Sequence, residues 1–280
     1  MIRRKKLGAA ATVVLGIVAA LVTLYPFLWA LSTSLKTDAA LFTFPPKLIP
    51  DTFVWENYLE GWNLLPFPRL FFNSFAVSLP VTLITVLICA MAAFAFVRVP
   101  FPFRNAVFLL YLSTLMVPQI IRLIPSFITV RNIGLTNSYL GMILPQVAWA
   151  VPFGTFLIRQ FLLGLPIELD ESAKIDGAGS LRIFAQIVMP NAKGAMLTLG
   201  TYTFLTSWNN LIWMMVITNK ESMNTVTLGL ATMTGPSVNF VPPWNLVMAA
   251  TVISIIPILL IFIFFQKYFI QSVALSGVKG

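Results

Sequence analysis

Six apolar runs, near residues 11–31, 70–97, 106–128, 140–162, 195–217 and 246–270, set the terms for any fold this chain can take. Each is close to or above the roughly 20 residues that an α-helix needs to cross the hydrocarbon of a bilayer. Lipid offers no hydrogen bonds, so backbone that crosses it must satisfy its own, and runs of this length predict helices. Composition agrees: 58% of the residues are hydrophobic and 10% charged, where a globular domain carries about 25% charged residues. Pro118, Arg122 and Pro125 interrupt the far end of the third run. A break or bend is expected there, with its backbone shielded by protein or water and not lipid.

Charge placement gives an orientation. With the N-terminus in the cytoplasm, twelve Lys and Arg lie inside (Arg3, Arg4, Lys5, Lys6, Arg98, Arg104, Arg159, Lys174, Arg182, Lys193, Lys267, Lys279). Six lie outside (Lys36, Lys47, Arg69, Arg122, Arg131, Lys220). This is the positive-inside asymmetry, and an even number of spans returns the C-terminus to the cytoplasm. The net charge of +9 is therefore a membrane signature, and no nucleic-acid partner is expected. The basic start resembles that of a signal peptide, with Ala30-Leu31-Ser32 as a weak cleavage candidate. The apolar stretch exceeds the usual 7–15 residues of such a peptide, so an uncleaved first span is expected. The chain has no His and a single Cys, Cys89, inside an apolar run. A Ser-His-Asp or Cys-His unit is excluded, as are imidazole zinc sites and an internal disulfide.

Two loops are long. The outer one, 36–69, holds Pro45, Pro46, Pro50, Pro66 and Pro68 among several aromatics, which predicts an ordered cap. The inner one, 164–194, contains four of the nine acids in the chain. Pro166 suits the first turn of a helix, and Glu168, Asp170 and Glu171 follow where the helix dipole favours negative charge. Gly177 and Gly179 end that helix. Ser180 can cap a second short helix, which Pro190 would end. The loop reads either as two short helices built to dock on a partner or as a solvated turn that merely joins two spans.

Motif spacing bears on that choice. Glu171-Ser172-Ala173, Gly177, Ile187 and Met189-Pro190 resemble the E-A-A, three residues, G, nine residues, I, one residue, L-P motif in the cytoplasmic loop of bacterial ABC importer permeases. Ser172 and Met189 depart from it by small changes of shape. Asp176-Gly177-Ala178 is similar to the form common in the carbohydrate-uptake branch. The likeness extends to Asn73-Ser74, Met116-Val117-Pro118, the Ile133–Ser138 stretch, Trp208-Asn209, the Trp244–Ala250 stretch and the Ser276–Gly280 ending. The chain is thus identified as a member of the family of six-span subunits of maltose- and glycerol-phosphate-type systems. The resemblance implies an all-α, polytopic membrane protein with six transmembrane helices and a cytoplasmic coupling-helix loop. It implies a single permease domain over 1–280, a family core over 70–270 and a coupling loop over 164–194.

The same resemblance implies the partners: a second permease subunit, two ATPase subunits and an extracytoplasmic solute-binding protein, in the inner membrane and its lipid. The chain itself would perform no bond chemistry and hold no cofactor; ATP and Mg would be bound by the ATPase subunits. Glu171, Ser172, Ala173, Asp176, Gly177, Ala178, Ile187, Pro190 and Lys279 are the implied ATPase-coupling residues. Glu171 would meet an Arg, Gly177 would permit the turn, and the C-terminal tail with Lys279 would reach the ATPase. For the solute pathway, polar and aromatic residues of the spans are the candidates: Asn73, Gln146, Trp149, Trp208, Asn209, Asn210 and Trp213. Amides suit sugar hydroxyls and indoles suit the apolar faces of sugar rings. The competing role for each is an interhelical hydrogen bond or an interfacial aromatic. A stand-alone secondary transporter or channel is the alternative class, and a membrane-embedded enzyme a third. The carrier would need a coupling site, often an intramembrane carboxylate, and the enzyme its acids and bases, yet the six runs contain no Asp or Glu.

Overall fold

The computed structural model describes residues 2–235 and 242–277. Every regular element among them is helical, with no β-strand. The chain divides into two compact units, residues 1–67 with 230–256 and residues 68–229 with 257–280.

The first unit contains α1 (Ile2–Ser34), the outer loop, α2 (Glu56–Leu64) and the opening part of α13 (Trp244–Gly277). Apolar side chains of α1 from Val13 to Leu31 are exposed, the condition of a helix whose solvent is lipid. The loop after α1 is ordered by hydrogen bonds to backbone. Asn57 Nδ2, buried in α2, donates to Ser34 O (2.9 Å) and Lys36 O (2.8 Å). Lys36 Nζ donates to Lys47 O at 2.6 Å. Gly61 of α2 lies where a Cβ would come within 3.1 Å of Leu246 O in α13, a close approach open to small residues.

The second unit takes in most of the 70–270 stretch, without residues 230–256. Its long helices are α3 (Phe67–Arg98), which enters it at Pro68, and α6 (Tyr139–Leu162). α3 turns Phe72, Leu79, Leu83 and Leu87 outward, a helical spacing that gives a lipid-facing stripe. Its other face packs Cys89, Ala90, Ala93 and Phe94 against Ile158 and Leu162 of α6 and Leu199 of α10 (Lys193–Trp208). At Gly154 of α6 a Cβ would stand 2.6 Å from Cys89 Sγ and 2.8 Å from Leu199 Cδ2, so glycine sets this three-helix contact.

Not all six runs form continuous spans. Among the described residues, four helices are long and apolar enough to cross a membrane, at Thr12–Ser34, Phe67–Arg98, Tyr139–Leu162 and Trp244–Gln266. The third run is two helices, α4 (Arg104–Ser113), extended by a 3-10 turn to Met116, and α5 (Gln119–Asn132), bent by 98° at Val117-Pro118. Proline holds the residue before it out of the helical region, and Val117 is extended with ψ 113°. The fifth run is also interrupted. α10 stops at Trp208 and α11 (Leu211–Ile217) restarts after Asn209-Asn210. The 16 residues of α10 rise about 24 Å, short of the about 30 Å of hydrocarbon. α12 (Val226–Met233) follows.

Candidate functional site

The inner loop is built from local rules. α7 (Glu168–Ile175) carries Glu168, Asp170 and Glu171 in its first turn and Lys174 in its last, each sign at the helix end whose dipole it complements. Gly177 has φ +76°. Gly177 N donates to Lys174 O at 3.0 Å and Ala178 N to Ala173 O at 2.9 Å. That pair of bonds is the Schellman termination, which places a left-handed residue just past the helix and favours glycine there. Ala173, Ala178 and Ile187 pack back against the α3–α6–α10 core. Glu171, Ser172 and Asp176 are exposed.

Several details differ from expectation. Pro166 precedes α7 by two residues, and the cap position belongs to Ile167. Gly179, with extended backbone, is the N-cap of α8 (Ser180–Ile183), and Ser180 is its first residue. Pro190 does not end that helix. The chain passes through a π turn, Phe184–Val188, in which Met189 N bonds to Phe184 O, and continues as α9 (Met189–Asn191). Proline has no N–H to offer the preceding turn, and a π turn redistributes the bonds around that gap. Lys279 lies outside the described residues.

Two further features carried no signal in the sequence. Arg98, at the end of α3, and Asp170 of α7 form an ion pair, Nε to Oδ2 2.7 Å, with side chains 10% and 4% exposed. Proximity holds it, since Nε has no aligned hydrogen bond. Arg98 Nη2 also donates to Leu165 O at 3.1 Å. The acid that anchors α7 is thus Asp170, and its neighbour Glu171 is free to face outward. In the same loop, Ile175 and Leu181 are 88% and 83% exposed. Isolated apolar residues exposed at a loop tip gave no periodic signal to read.

The pathway candidates divide into two groups. Gln146, Trp149, Asn209, Asn210 and Trp213 line one cavity of about 850 Å³, formed by α5, α6, α10 and α11 together with Val81 and Leu115. Their polar atoms hold the interrupted helices in place. Asn210 Nδ2 donates to Gln146 Oε1 (3.0 Å), and Asn210 Oδ1 caps α11 by accepting from Trp213 N (3.2 Å). Trp213 Nε1 donates to Gly141 O at 3.2 Å, and its ring meets Trp149 edge to face at 5.1 Å. Asn73 and Trp208 are not in that lining. Asn73 Nδ2 donates to Ser222 O (2.9 Å) and Asn224 O (2.8 Å), and Oδ1 accepts from Tyr139 Oη at 2.6 Å. Trp208 is buried against Phe71, Phe75 and Phe204. Arg122, counted above among the outer charges, lies within α5 and lines the cavity.

This arrangement of continuous and broken helices, with a capped inner loop, has a solved counterpart. The crystal structure of a bacterial ABC transporter involved in the import of the acidic polysaccharide alginate contains a similar chain. It matches with a TM-score of 0.82 at 23% identity, over 95% of this chain and 97% of that one. The two chains share a fold. Sequence carries the assignment further. The sn-glycerol-3-phosphate transport system permease protein UgpE of Yersinia enterocolitica is 35% identical over 262 residues, covering 91% of this chain and 92% of its own. UgpE of Shigella flexneri is 35% identical over 259 residues (90% and 90%), and UgpE of Rhizobium meliloti 32% over 266 (91% and 92%). The signature of the binding-protein-dependent transport system inner membrane component matches residues 70–275. The chain belongs to that family: it is a multi-pass inner-membrane permease of an ABC importer and not a stand-alone carrier.

Proposed function

We propose that this chain pairs with a second permease subunit to form the pathway for a sugar or sugar-related solute, polyol phosphate esters included. An extracytoplasmic solute-binding protein delivers the solute, and two separate ATPase subunits bind and hydrolyse ATP. The names of the relatives support the solute class. The 164–194 loop is the coupling element, cytoplasmic along with both termini, and residues 70–270 are the core that moves with it. The observation that carries the coupling role is the division of labour on α7. Asp170 is buried on Arg98 while Glu171, Ile175 and Leu181 are presented outward. A loop that exposes a carboxylate and apolar side chains suits a cleft that offers an arginine.

In this reading, ATP binding closes the ATPase pair and moves the docked loop. The loop is tied to α3 by the ion pair and to α6 and α10 by packing, so the displacement passes to the spans as alternating access. Chemistry stays in the ATPase subunits. The C-terminal tail, with Lys279, is assigned a second contact there. Affinity purification of the tagged chain from its native membrane tests the reading. It should bring down a second permease and an ATPase whose ATP hydrolysis rises with the loaded binding protein. A chain recovered alone that transports without ATP would overturn it.

A further inference from the structure

We infer that the cavity bounded by α5, α6, α10 and α11 holds its solute by a phosphate or carboxylate group, with Arg122 as the anion-binding residue. The inference rests on the importer reading above and narrows its solute to an anionic, hydroxylated small molecule.

The lining of this cavity has one charged side chain, Arg122, and no carboxylate. Arginine keeps its proton in proteins, so the positive charge persists and needs acceptors. Its own chain supplies none to Nε, which is buried without a hydrogen-bond partner. The ion pairs among the described residues are Lys47–Asp51 and Arg98–Asp170. Arg159 shows what an accounted-for arginine looks like: its Nε is also unpaired, but its guanidinium lies 4.1 Å from the centre of the Phe108 ring. An ionisable residue within a span is costly and marks a solute or ion path. The guanidinium fork matches phosphate and carboxylate oxygens two at a time.

The rest of the wall suits the remainder of such a solute. Thr203 and Ser207 also belong to the wall, with hydroxyls buried without partners. The Trp149 ring offers an apolar face. A volume of about 850 Å³ is ample for a monosaccharide-sized ligand.

The test uses the complete transporter in nanodiscs that contain phosphatidylglycerol throughout, titrated with sn-glycerol 3-phosphate, glucuronate, glycerol and glucose. Tryptophan fluorescence is the readout, since Trp149 and Trp213 line the cavity. At least one of the two anions should bind, and which one separates a phosphate ester from a carboxylate. The neutral probes should not. Arg122→Gln should raise the half-saturating concentration of the anion at least about tenfold, the loss of one charge-assisted contact, and Arg122→Lys should retain part of it. The wild-type preference for anions is read independently of whether the Gln variant assembles. Four results overturn the proposal: silence toward both anions, as when a lipid headgroup occupies Arg122; equal response to neutral probes; an Arg122→Gln titration like the wild type; and loss of the partner permease in Arg122→Gln with wild-type anion preference in Arg122→Lys and ATP-driven import of a neutral solute. A wild-type complex that imports a neutral solute and binds no anion overturns this inference alone. A complex in which no solute stimulates ATP hydrolysis overturns the importer reading beneath it.

Discussion

Asp170→Asn removes one charge from the pair that fastens α7 to the end of α3 and leaves the Arg98 guanidinium behind. Both side chains are nearly closed to solvent, at 4% and 10% exposure, so the remaining charge cannot rehydrate in place. Removing one partner of a buried pair costs about 3–5 kcal/mol. Arg98 keeps its bond to Leu165 O, and the pair lacks an aligned Nε hydrogen bond, which points to the lower end, about 3 kcal/mol. If α7 opens locally to relieve that cost, its amide exchange protection falls roughly hundredfold. Hydrogen exchange by mass spectrometry on peptides over 167–176, with the transporter in nanodiscs, reads this directly. The Arg98→Met, Asp170→Leu double variant removes both charges and should recover most of the protection, since apolar replacement of a whole buried pair is close to neutral. Unchanged protection in Asp170→Asn, or a double variant as labile as the single one, would refute the reasoning.

Further outcomes follow from the same geometry. Gly154→Ala places a Cβ 2.6 Å from Cys89 Sγ and 2.8 Å from Leu199 Cδ2; overpacking there should cost about 1–3 kcal/mol, seen as a lower unfolding temperature and partly reversed by Cys89→Ala. Asn210→Ala removes the α11 cap and the donor to Gln146, for a loss of about 1–3 kcal/mol in detergent unfolding; an unchanged midpoint counts against its part in the helix break. Ser180→Cys should react with an impermeant maleimide in inverted membrane vesicles and stay unlabelled in intact cells; the reverse pattern would invert the topology.

What could be read from the sequence was local. The Gly177 termination of α7 needs only residues 173–178, and the acids before it are ordered by their own helix. The bend at Val117-Pro118 was legible because proline acts on its immediate neighbours. The break at Asn209-Asn210 was hidden inside an apolar run: it depends on Gln146, 64 residues away in sequence. Asn73 looks from sequence like a polar group bound for the pathway, but its amide spans 149 and 151 residues to Ser222 and Asn224, a tertiary clamp that no pattern in one chain displays. Arg98 and Asp170 each fit a local explanation, a flanking charge and a helix-dipole acid, so nothing marked them as a pair. Arg122 was counted among the outer charges because the prolines at the far end of its run predict a break, whereas α5 continues through Pro125.

In the proposed function, the Gly177-terminated loop couples solute movement to ATP hydrolysis in separate subunits. Glu171→Lys sets a positive charge where an arginine is expected, and Gly177→Asp puts a side chain on a left-handed residue of the proposed docking loop. Neither lies in a span. The deciding measurement is ATP hydrolysis stimulated by loaded binding protein, taken with solute uptake in the same proteoliposomes. Both variants should insert normally and lose most of the stimulated hydrolysis and the uptake. Wild-type stimulation and uptake in both would contradict the account and reduce the loop to a connector.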